Sequence, residues 1–149
     1  MLAVSAGVAW STGRSSVLLA AQLTLDHIKC FLVDGDDHAD HFTADAAEAR
    51  MQEQFGWTVP IPAPAARPDV HLVSVRRCLY GEGMVAHVLY RVQDQPVSLF
   101  VMPGRAASEA DFSAFGRHAR VLEQGGVTYV LVAPAALTGV AAAVGLEAE

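Results

Sequence analysis

The stretch VHLVSVRRCLYGEGMVAHVLYRVQDQPVSLFVM, residues 70–102, decides the fold. It is rich in β-branched and aromatic residues. Two turn-forming clusters interrupt it, Gly81-Glu82-Gly83-Met84 and Gln93-Asp94-Gln95-Pro96. This pattern predicts a three-strand antiparallel meander over 70–80, 85–92 and 96–102. Turn length fixes register. Counting across the turns places Tyr80 opposite Val85, Cys78 opposite His87, Val92 opposite Val97 and His87 opposite Met102. Alternation then directs Val73, Val75, Leu79, Ala86, Val88, Tyr90 and Leu99 to a core face. Ser74, Arg76, Cys78, His87, Leu89, Arg91, Phe100 and Met102 fall on the other face. That second face is mixed, and apolar enough to require a cover.

Helical patterns flank the meander. Ser15 or Ser16 can cap a helix running to about Phe31, with Leu18, Ala21, Leu25 and Ile28 at the spacing of a buried stripe. His27 and Cys30 lie three apart, on one side of that helix, flanked by Ala20, Leu23 and Phe31. Residues 44–55 form a second helix after Thr43, ended by Gly56. Pro60, Pro62, Pro64 and Pro68 mark an extended segment leading to the meander. Beyond it, Ser108 caps a brief helical stretch over 109–115. Strands 117–124 and 127–133 flank the hairpin signal Gly125-Gly126. An alanine-rich helix over 135–146 closes the chain. The fold class that follows is α+β: an antiparallel sheet of about five strands, a meander plus a hairpin, with N-terminal, middle and C-terminal helices.

With 149 residues, 52% hydrophobic and 17% charged, the chain can bury a core of its own, and residues 15–149 read as one domain. The net charge of -6 and the scatter of the ten basic residues give nucleic acid no basic surface to bind. Residues 1–14 begin with an apolar stub, MLAVSAGVAW, which is too short to span a bilayer alone. It has two readings: a helix packed on the domain, or the outer end of a transmembrane helix with Trp10 and Arg14 at the interface.

The chemistry-bearing residues are few. Cys30 and Cys78 are the two cysteines, and each has a histidine at contact spacing, His27 and His87. If the first helix covers the mixed face, His27, Cys30, Cys78 and His87 make a Cys2His2 set suited to zinc. Cys78, His87 and Met102 in one cross-strand row suit copper. The same two thiols can close a disulfide in an oxidising compartment, worth about 3–4 kcal/mol. Basic neighbours, His27, Arg76 and Arg77, offer a way to lower a thiol pKa and make the pair redox-responsive. The plain alternative is a buried cysteine, a half-exposed histidine and a packing methionine. His38, Asp40 and His41 belong to a solvated acidic turn, and His71 and His118 stand alone. Ser15, Ser16 and Ser98 have no Gly-x-Ser-x-Gly context, and Gly81-Glu82-Gly83 opens no helix. No catalytic constellation emerges.

The order of apolar stub, helix, Trp57-Thr58-Val59-Pro60-Ile61-Pro62, Ala86-His87-Val88-Leu89-Tyr90-Arg91 and Pro96-Val97-Ser98-Leu99-Phe100-Val101 resembles the extracytoplasmic region of membrane-anchored anti-sigma factors of the transmembrane transcriptional regulator type. The likeness runs over about residues 15–134. It implies a periplasmic sensor domain on a single-pass anchor, not an enzyme. It also implies a sigma factor bound only through a cytoplasmic domain that this sequence lacks, together with that domain's His-x3-Cys-x2-Cys motif. On this expectation the chain is a periplasmic piece or a truncated product. Its Cys/His cluster receives the signal as zinc or copper binding, or as a thiol redox change. The competing expectation is a metal-free module that presents the mixed face to a protein partner.

Overall fold

Two-residue turns and alternating side chains build the sheet that carries everything else. The computed structural model describes residues 15–33, 43–62, 67–80, 83–105 and 107–146. Helix α1 spans Ser16–Val33 and α2 spans Ala44–Phe55. Strands β1 (Val70–Tyr80), β2 (Gly83–Val92) and β3 (Gln95–Pro103) form the expected meander. Strands β4 (Ala110–Ala114), β5 (Arg117–Gln124) and β6 (Val127–Pro134) form a second one. Helix α3 is short, Val140–Ala143. All six strands join in one antiparallel sheet, in the order β1-β2-β3-β6-β5-β4. The α+β class holds, with six strands and three helices among the described residues.

The central strands β3 and β6 are buried along nearly their whole length, because both faces of the sheet are covered. One face packs with Ala47 and Met51 of α2, Val59 and Ile61 of the proline-rich segment, and Val140, Val144 and Leu146 near the C-terminus. The other face packs with Leu19, Ala20 and Leu23 of α1 against Phe100, Met102, Val121, Val130 and Val132. The mixed face therefore has its cover, and the cover is α1. Thr43 caps α2 by accepting the Ala46 N–H, and Gly56 closes it at φ 72°. Among the described residues, no helix is long and apolar enough to cross a membrane. The stub over 1–14 and the acidic turn with His38, Asp40 and His41 lie outside the described residues.

Several expectations are corrected. The cross-strand register differs by two residues at both turns of the first meander. Tyr80 pairs with Gly83, Cys78 with Val85, and Arg76 with His87. Val92 pairs with Gln95, and His87 with Phe100. The second turn holds only Gln93 and Asp94, both at positive φ (52° and 59°), the tight geometry that matches strand twist. Met102 thus does not stand opposite His87. A bulge between Leu72 and Ser74 puts Leu72, not Val73, into the core beside Val75. The stripe expected on α1 faces outward: Leu18 is 43% exposed and Leu25 53%, whereas Leu19, Ala20, Leu23, Thr24 and His27 are buried. Helix α1 is apolar on both sides, so hydropathy alone does not orient it. The helix expected over 109–115 is strand β4, an edge strand paired to β5. The C-terminal helix reduces to one turn, because Gly139 directly before it and Gly145 just after it both adopt a left-handed conformation.

Candidate metal centre

The candidate centre lies where α1, β1 and β2 converge. Alternation along β1 and β2 puts Cys78 and His87 on the face toward α1, as diagonal neighbours. Cys78 Sγ lies 3.5 Å from His87 Nδ1. Helix α1 supplies the third group, Cys30, two turns beyond its buried Leu23. Cys30, Cys78 and His87 each offer a donor atom, and these atoms all lie within 4.8 Å of one another. The three could hold a metal ion. Both cysteines are free thiols, half-buried, and no disulfide joins them.

The remaining predicted ligands do other work. His27 is buried, but its Nδ1 lies 2.6 Å from Ser98 Oγ, and it is not one of the three residues whose donor atoms cluster. Met102 is buried in the apolar cluster under α1, with Phe100 and Val130. The structure thus brings together three of the five expected residues. Ser98 is the residue that sequence reasoning missed. It is fully buried on β3, and its Oγ also lies 2.6 Å from His87 Nε2. It therefore bridges the two histidines. Its one legible signal is a hydroxyl in an otherwise apolar run, on the same strand face as Phe100. Such a buried hydroxyl needs a partner. The His87 ring stacks on Phe100, with centroids 4.3 Å apart and planes at 18°. The His27 ring meets Phe31 at 4.9 Å.

Burial dominates the electrostatics. It holds His87 down to about 3, with His27 and Arg76 adding to the effect. It holds His27 down to about 4, with Arg117 adding. Both imidazoles are neutral near pH 7, the form that donates a lone pair to a metal. Cys78 is pushed up to about 12, first by burial, then by Cys30 and Asp26; Arg76 opposes this only weakly. The expected lowering of the thiol pKa by basic neighbours is therefore reversed at Cys78. A metal ion would change that balance, because its own charge deprotonates a coordinating thiol.

No protein-family model, no curated protein and no solved structure matches this chain.

Proposed function

We propose that this domain is a sensor whose signal is the capture of a soft or borderline metal ion, zinc or copper(I), by Cys30, Cys78 and His87. The convergence of two thiols and a neutral imidazole from three separate elements within 4.8 Å carries the reading. Two sulfurs and one imidazole suit these ions, whereas magnesium and calcium require oxygen donors. Reversible disulfide formation would use the same sulfurs. It needs an accessible thiolate, and the half-buried Cys78 with its raised pKa is a poor one, which favours metal capture. Coordination would tie the C-terminal part of α1 to β1 and β2, so ligand binding would bias the position of one helix.

In the setting implied by the sequence resemblance, the domain sits on the periplasmic side of a membrane and α1 follows the anchor. A shift of α1 would then reach a sigma-factor-binding domain located elsewhere in such a protein. The test is metal analysis of the purified domain after reconstitution with zinc and, under anaerobic conditions, with copper(I). One equivalent is expected, lost in both Cys30→Ser and Cys78→Ser. Absence of uptake in the unmodified domain would refute the proposal. The remaining candidate would then be a metal-free interaction module.

A further inference from the structure

The hydrogen-bond chain from His87 to α1 has room for only one hydrogen at its centre, and this has a consequence for metal capture. Ser98 Oγ lies 2.6 Å from both His87 Nε2 and His27 Nδ1. A hydroxyl donates once, so one imidazole accepts from Ser98 and the other must donate to it. At the far end of the chain, His27 Nε2 is buried and has no hydrogen-bond partner among the described residues. A bare lone pair there costs less than a bare N–H, since orphaned buried donors are the rarer case. Without metal, the chain therefore runs from α1 inward. His27 Nδ1–H donates to Ser98, the Ser98 hydroxyl donates to His87 Nε2, and His87 Nδ1–H points at Cys78 Sγ, 3.5 Å away.

Metal capture through His87 Nδ1 forbids that arrangement. The nitrogen must present its lone pair, so Nε2 carries the hydrogen and donates to Ser98. Ser98 must then donate to His27 Nδ1, and neutral His27 must carry its hydrogen on the buried, unpartnered Nε2. Each imidazole exchanges one hydrogen for another through solvent, and neither changes charge. Resting on the metal reading above, we infer that His27 is not a ligand but a brake on affinity. Metal capture creates an unpaired N–H within α1, and so holds the site weaker than its three donors alone would make it. Ser98 acts in the opposite sense, because it orients the ligating ring as outer-shell partners do.

The two residues should therefore respond with opposite signs. Competition titration with zinc is expected to show His27→Met binding about tenfold tighter than the unmodified domain, because the thioether sulfur can accept the Ser98 hydrogen and brings no N–H of its own, on the scale of a removed unsatisfied donor. Ser98→Ala is expected to bind at least tenfold weaker. Nitrogen-15 NMR of the unmodified domain needs no variant. It should show His27 carrying its hydrogen on Nδ1 without zinc, and both His27 and His87 carrying it on Nε2 with zinc. Failure of the unmodified domain to take up zinc would overturn the metal reading and this inference together. Zinc uptake with His27 still protonated on Nδ1, or with affinity unchanged or weakened in a folded His27→Met variant, would overturn this inference alone.

Discussion

His27 and His87 are imidazoles sealed from water, and their protonation is linked to folding. Both have folded pKa values, about 4 and about 3, well below the ordinary value of 6.5. Below pH 6.5 the unfolded chain takes up protons that the folded domain refuses. The stabilising effect of two neutral histidines is thus complete above about 6.5 and is lost as pH falls toward 4 and 3. Each contributes ~1.4 kcal/mol per pH unit in that window. Denaturant midpoints of the metal-free domain are expected to fall markedly from pH 7.5 to pH 5; a flat profile would mean that the two rings are not sealed. At this scale the sequence was readable in part. Cys30, Cys78 and His87 stood out by type and rarity. Ser98 did not, since a serine in a strand announces nothing until its neighbours across the sheet are known. The exclusion of Met102 followed from register, which rested on two turns whose lengths were misjudged.

Among the elements, α1 makes the sharpest contrast. Its inner row is Leu19, Ala20, Leu23 and His27, and its outer row includes Leu18 and Leu25. Leu23→Ala should destabilise the domain by ~2–5 kcal/mol, the range for a fully buried leucine. Leu25→Ala should change stability by no more than ~0.5 kcal/mol. Equal effects in chemical denaturation would show that the helix is turned differently. The β4–β5 turn offers a second measurement. Phe115 sits there at φ 54° with 73% of its surface exposed, in a conformation that favours asparagine or glycine. Phe115→Asn is expected to raise stability by ~0.5–1 kcal/mol, read as a higher denaturant midpoint at unchanged slope. Residues 16–33, 44–55, 117–124 and 127–134 were legible because periodicity, caps and Gly125-Gly126 are local signals. Strand β4 was not. Its alanines favour a helix and its aspartate is a poor strand former, and only pairing along β5 overrides those preferences.

At the scale of the whole molecule, the sheet consists of two sequence-local meanders, β1-β2-β3 and β4-β5-β6, joined by the pairing of β3 with β6. That joint was invisible in the sequence, because nothing local to β3 or β6 marks the other as its partner. A metal that binds only the folded domain should stabilise it as a whole. At free zinc one hundred times the dissociation constant the gain is ~2.7 kcal/mol, visible as a raised thermal midpoint and absent in Cys30→Ser. Helix α1 rests on β4, β5 and β6, while Cys78 and His87 belong to β1 and β2 on the opposite side of the β3–β6 ladder. A bond from Cys30 to that pair would work like a clasp thrown across a seam. Under mechanical load the halves could not be peeled apart along β3 and β6 until the clasp had opened, so the ion would govern the domain's tensile strength as well as its equilibrium stability.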